Sequence, residues 1–295
     1  MTGLITIASD NLTARINPLG AELWSLSDEA GQEYMTDADP AFWTGHAPLL
    51  FPIVGALKDG RYRLGAREYA LPKHGFARTS LFTCVEADQS SVLFRLIGSE
   101  ETRACYPFAF ELLMAFRLRG WRLEMEATVR NTGDAALPFS FGFHPAFAWP
   151  LPRGDKAQHR IIFAEEEPQP IRRIDADGLV LREPVTTPVH GRTFTPDAAL
   201  FEADAMIWDN LHSRALTFGV EGGPKLDIAY PDLPMLGIWQ KPGANYLCIE
   251  PWQGIADPQG FDGDFHDKPG VITLSPGGER SLRMDVTVDA GHGPR

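Results

Sequence analysis

Three short segments set proton-transferring or charged side chains among aromatic and apolar neighbours. They are Lys73-His74-Gly75-Phe76-Ala77-Arg78, Phe141-Gly142-Phe143-His144-Pro145 and Cys248-Ile249-Glu250-Pro251-Trp252. Glu250 ends a strand-like apolar run, and a carboxylate there is costly to bury unless it is partnered or functional. An imidazole can give or take a proton near neutral pH. Each residue alone has a second reading. His144 also reads as a hydrogen-bonded core histidine, Glu250 as one half of a buried ion pair, and Arg78 as a structural arginine.

Other chemistries leave no trace. The chain has no GxGxxG after a strand, no GxxxxGK[ST], no GxSxG and no HExxH. Its eight histidines are scattered, without an HxH pair. No cofactor is expected, and no local spacing supports a metal site, although ligands from distant segments remain open. Lys plus Arg number 27 against 39 Asp plus Glu, a net charge of -12. That balance argues against a nucleic-acid partner and against an anionic membrane surface. A small ligand is the expected partner, with the chain acting as a monomer or homodimer.

Cys84, Cys105 and Cys248 are odd in number and lack CxxC spacing, so reduced thiols in a cytoplasmic protein are expected. The first residues show no basic segment followed by an apolar run, so no signal peptide is expected. The long uncharged stretch at residues 135–152 carries prolines at 138, 145, 150 and 152, which excludes a membrane helix there.

The elements that hold these segments read as strands. Trp121, Leu123, Met125, Ala127 and Val129 alternate with polar residues, as do Phe110, Leu112, Met114, Phe116 and Leu118. Period two puts one face in a core and the other in water. Arg119-Gly120 joins the two runs as a hairpin. Leu282, Met284, Val286 and Val288 repeat the pattern. Further hairpins are predicted at residues 61–71, 81–97 and 215–229. Helical turns are expected only near residues 40–43 and 196–201. With 28 Gly and 24 Pro and no linker or repeat, the chain reads as all-β: a sandwich or barrel in one domain over residues 1–290, with a tail at 291–295.

Taken together, the motifs resemble the aldose 1-epimerase (galactose mutarotase-like) family, and its bacterial members of unassigned sugar specificity most closely. The residues that carry this are 47–55 (APLLFPIVG), 74–78 (HGFAR), 141–147 (FGFHPAF) and 248–254 (CIEPWQG), with 18–23 (PLGAEL) as the opening strand. The resemblance implies a β-supersandwich. It also implies a cofactor-free mutarotase that interconverts the α and β anomers of a sugar by opening and reclosing its ring. By similarity Glu250 is the base and His144 the acid, on opposite sides of the hemiacetal, with His144 raised in pKa by an ionised Glu250. His74 would bind the sugar and add positive potential near the ring oxygen. Arg78 would offer a donor fork to hydroxyls. Asp204 matches the family's sugar-binding aspartate, with Asp209 as the alternative. Trp43, Trp149, Trp239 and Trp252 are candidates for stacking or for the core.

The chain departs from the family at Thr44-Gly45-His46, where members carry an arginine; His46 would substitute as a hydroxyl partner or be structural. With Arg78 as the one cation in the matched motifs, and Lys58 and Lys73 expected away from the ligand, neutral aldoses are expected over 6-phosphates. Three other functions compete: a non-catalytic carbohydrate-binding or sugar-sensing protein, a hexose-6-phosphate 1-epimerase, and a glycosidase pairing Glu250 with Asp257.

Overall fold

The structure is a computed structural model and describes residues 3–291; positions 292–295 of the expected tail lie outside the described residues. The alternating segments form the strands Phe110–Arg119 and Arg122–Asn131, antiparallel with Arg119 opposite Arg122. Leu123, Met125, Ala127 and Val129 are buried, while the residues between them reach solvent to varying degrees. Burying such side chains stabilises the fold by roughly 1.5–3 kcal/mol for each large one.

These two strands sit within a nine-stranded antiparallel sheet. On one side of them lie Ser91–Ile97 and then Thr83–Ala87. On the other lies Glu279–Asp289, which also pairs with Lys225–Ala229. Ala215–Gly219, Arg160–Phe163 and Thr193–Phe194 complete that flank. A three-stranded N-terminal sheet, ending in Glu22–Asp28, adds to the same core.

A second sheet, of six strands, carries Glu250. Its path runs Met206–Trp208, Met235–Trp239, Tyr246–Gln253, Phe141–Phe143 and Leu49–Leu50, and Ala146–Ala148 also pairs with Tyr246–Gln253. The fold is an all-β supersandwich of large antiparallel sheets with few helices. A 3-10 turn at Ala198–Phe201 matches the second helical expectation, while residues 40–43 form only a turn. One short helix, Glu100–Cys105, was not anticipated. Ser99 and Thr102 start it with a reciprocal capping box. No helix among the described residues is long and apolar enough to cross a membrane.

Candidate active site

Glu250 and Cys248 are two apart on Tyr246–Gln253, so strand alternation puts both side chains on one face. His144 lies between Phe141–Phe143 and Ala146–Ala148, both of which pair with that strand. The resulting closeness is direct: His144 Nε2 is 3.1 Å from Glu250 Oε2. Both residues are buried. They lie in a cavity of about 190 Å³ whose lining also includes His74, Arg78, Lys73, Asp204, Trp43, Trp239 and Trp252.

The cavity grades from a buried floor to an open rim. Glu250, His144, His74 and Trp252 are buried, Trp43, Trp239 and Arg78 half-buried, and Lys73 and Asp204 exposed. Trp252 fits because Gly142 and Gly237 flank its indole. A methyl group at Gly142 would fall 2.5 Å from ring atom Cδ1, and one at Gly237 would meet the far edge of the ring. His144 is boxed by Trp43, at 5.1 Å between ring centroids, and by His74, at 5.7 Å.

Burial sets the protonation of the floor. It raises the Glu250 carboxyl well above the usual range; Lys73 opposes the rise, Asp204 adds to it, and the Trp252 N–H opposes it without a well-formed hydrogen bond. Burial lowers His144 to about 3, and Lys73 and Arg78 push the same way. The expected rise of His144 is therefore reversed: burial penalises the imidazolium, and Glu250 supplies no lift against it. His74 accepts the Gly55 amide at Nδ1, 3.1 Å, which leaves Nε2 to carry the ring proton. Burial also holds its pKa well below the ordinary value. It thus offers a neutral donor, and the positive potential expected of it is absent.

The structure separates the other candidates. Asp204 lines the cavity at positive φ, with Oδ1 accepting its own Ala205 amide and its carbonyl accepting Arg173. Asp209 instead pairs with Arg172 at 3.0 Å. His46 does not line the cavity; it stacks on Trp24 at 3.9 Å, and Glu22 accepts its amide. Of the two readings of His46, this placement favours the structural one. Trp149 is core, donating to the Lys156 carbonyl. Asp257 is buried against Lys268 at 2.6 Å and accepts the Lys58 amide, outside this cavity. That removes the carboxylate pair on which the glycosidase reading stood.

Lys73 corrects the sequence reading in the other direction, since it lines the cavity. Residues 73 and 74 would face apart in a strand. His74 and Gly75, at φ 68° and 71°, instead make a left-handed turn, and both 73 and 74 reach the site. Three buried side-chain atoms here lack hydrogen-bond partners: His144 Nδ1, Glu250 Oε2 and Trp252 Nε1. Each such atom costs about 1–3 kcal/mol, so their convergence marks a place prepared for a polar ligand.

The aldose 1-epimerase family model matches residues 3–286. The chain belongs to the aldose 1-epimerase family. Protein LacX of Lactococcus lactis subsp. lactis is 31% identical to it, over 96% of this chain and 99% of LacX. A galactose mutarotase-like protein from Lactobacillus casei is similar at 30% identity and a TM-score of 0.90, covering 97% of this chain and all of the other. A galactose mutarotase related enzyme from Lactobacillus acidophilus is 31% identical with a TM-score of 0.89, over 98% of each chain. Galactose 1-epimerase from L. acidophilus shares the fold at a TM-score of 0.72 and 15% identity, covering 98% of this chain and 95% of that one.

Proposed function

We propose that this member of the aldose 1-epimerase family interconverts the anomers of a free aldose by acid–base ring opening. The observation that carries the reading is the buried Glu250–His144 pair, 3.1 Å apart on the floor of an indole-lined cavity. The hydroxyl O1 and the ring oxygen O5 share carbon C1 and lie side by side. Adjacent groups therefore serve them better than groups on opposite sides of the sugar would.

In the reactive arrangement Glu250 is a carboxylate and His144 an imidazolium. Glu250 takes the O1 proton, the C1–O5 bond breaks with its electrons going to O5, and His144 gives O5 a proton. The products are an open-chain aldehyde, a neutral carboxyl and a neutral imidazole. Rotation about C1–C2 and the reverse proton transfers close the ring on the other face. The pair holds one proton at either stage. Burial favours the neutral arrangement, which is the one present with the open-chain form. Before opening, the reactive ion pair is therefore the minor form, and reaching it is part of the barrier. Trp43, Trp239 and Trp252 offer apolar faces to the sugar, while Arg78, His74 and Asp204 offer polar partners.

A hexose 6-phosphate is the second reading. Lys73 and Arg78 both line the cavity, and neither makes an ion pair within 4.0 Å among the described residues. Two cations weaken the case for neutral sugars that rested on one. NMR exchange spectroscopy across free aldoses and their 6-phosphates, with chelator present, tests both readings. Acceleration of a free hexose or pentose is expected. A higher kcat/KM for a 6-phosphate, falling steeply with salt, would transfer the assignment to the phosphosugar. Binding without acceleration of any sugar would make the protein a carbohydrate-binding one.

A further inference from the structure

The buried thiol of Cys248 has no part in the ring-opening chemistry, yet it shares a strand face with Glu250 and is wholly enclosed. A sulfur of Cys248, an oxygen of Glu250 and a ring nitrogen of His144 all lie within 4.8 Å of one another. Glu250 Oε2, the atom nearest His144 Nε2, is also buried without a hydrogen-bond partner. We propose that His144, Cys248 and Glu250 form a reversible inhibitory site for a thiophilic divalent cation such as Zn²⁺ or Cd²⁺.

One thiolate, one imidazole and one carboxylate make a three-ligand set that leaves a fourth position to water. Zinc bonds run about 2.0–2.3 Å, so tetrahedral ligands stand roughly 3.3–3.7 Å apart. The His144–Glu250 edge, at 3.1 Å, is already that short. The widest edge closes by about 1 Å through side-chain rotation, on a strand whose backbone pairing is unchanged. Zinc imposes no geometry through its d electrons, which makes it tolerant of such a site.

Charge selects the ion further. Thiolate and carboxylate together cancel the charge of a dication, with the protons they release going to solvent. Lys73 and Arg78 in the same cavity repel any cation that is not neutralised in this way. Mg²⁺ and Ca²⁺ prefer oxygen ligands and gain little from the sulfur, so they lack compensation. A bound cation occupies the groups that move protons in the reaction, so it excludes turnover and competes with sugar. This inhibition rests on the proposed function; the binding does not.

The test uses the full chain with Cys84 and Cys105 replaced by serine, which leaves Cys248 as the one thiol. Cd²⁺ is titrated while the ultraviolet thiolate-to-cadmium charge-transfer absorption is followed, and Zn²⁺ affinity is read by competition with a chromophoric chelator. One equivalent of Cd²⁺ is expected to raise the band, and sugar to oppose it. Cys248→Ala is expected to lose the band and retain turnover. Its half-inhibitory Zn²⁺ concentration should rise by at least the roughly 10–100-fold that loss of an outer-shell partner costs. Mg²⁺ and Ca²⁺ at equal concentration should neither inhibit nor displace cadmium. Cys248→Ser, closer in volume, serves if alanine does not fold. A missing band, a band that survives loss of Cys248, or unchanged zinc inhibition in the variant would overturn the site. A protein that shows the band but accelerates no sugar would overturn the epimerase reading and leave the metal site standing.

Discussion

Replacing Glu250 by glutamine separates a proton-transfer role from a structural one. Glutamine keeps the shape and removes the base. A positioned base contributes roughly 10²–10⁴-fold in rate, or about 3–5 kcal/mol of barrier. Turnover is therefore expected to fall by that factor with sugar binding retained. Stability is expected to move little, because burial already holds the carboxyl neutral and glutamine is neutral too. At about 2.1 cal/mol/K per residue, a chain of 295 residues unfolds with an entropy of roughly 0.6 kcal/mol/K. A change of about 1 kcal/mol then shifts Tm by roughly 2 °C. A structural salt bridge with His144 predicts the opposite pattern. Breaking a buried ion pair costs about 3–5 kcal/mol, which lowers Tm by roughly 5–8 °C. The assay is NMR exchange for turnover, titration calorimetry for sugar binding and scanning calorimetry for Tm. Turnover within about tenfold of wild type, together with a large fall in Tm, would refute the assignment of Glu250 as the base.

Acid should weaken the fold through His144. Its folded pKa is about 3 against 6.5 for the free side chain, so below pH 6.5 the unfolded chain binds a proton that the native one refuses. Stability from this group is full above about pH 6.5 and is lost as pH falls toward 3, by about 1.4 kcal/mol per unit. Urea unfolding in chelator at pH 7 and 5 should show a steeper loss for wild type than for His144→Gln; equal slopes would sink the prediction. For catalysis, the pair reacts while it holds one proton, so the raised Glu250 carboxyl should set the alkaline limb of kcat/KM and the lowered His144 the acid limb; an acid limb at or above pH 6.5 would contradict the burial argument. Lys268→Met leaves Asp257 buried without its cation and should cost about 3–5 kcal/mol, read as a drop in Tm of roughly 5–8 °C; a Tm within about 1 °C of wild type would show the pair to be dispensable.

The nine-stranded sheet was legible because one of its faces is wet. Arg122–Asn131 alternates in sequence as it alternates in burial. Tyr246–Gln253 is buried at all but its last residue and shows no alternation, so a carboxylate ending an apolar run, rather than periodicity, singled out Glu250. Lys73 was set aside because it lies outside the matched motif positions, and the left-handed turn at His74 and Gly75 brings it to the cavity beside His74. His46 stood open between a hydroxyl partner and a structural residue, and its stacking on Trp24 is a contact that no local spacing shows. Charge states were hardest to read. A reference pKa carries no knowledge of burial, and burial dominates at both His144 and Glu250. Cys248 stood in the same motif as Glu250, and only the strand's alternation shows that the two side chains share a face.

The place of Glu279–Asp289 has a consequence for how the protein is made. This strand lies between Lys225–Ala229 and Arg122–Asn131, so it alone joins the two halves of the nine-stranded sheet. A ribosome that has finished Arg122–Asn131 must add roughly 150 more residues before the joining strand emerges, about 8–30 s at ordinary speed. Throughout that interval the long hairpin presents an open hydrogen-bonding edge, the kind of surface that recruits other chains. The charged residues along it, Arg122, Glu124, Glu126 and Arg130, then act as guards during synthesis as well as solvated groups afterwards. A nascent chain stalled short of residue 279 would already hold His74, His144 and Glu250, and would still lack the strand that closes its larger sheet.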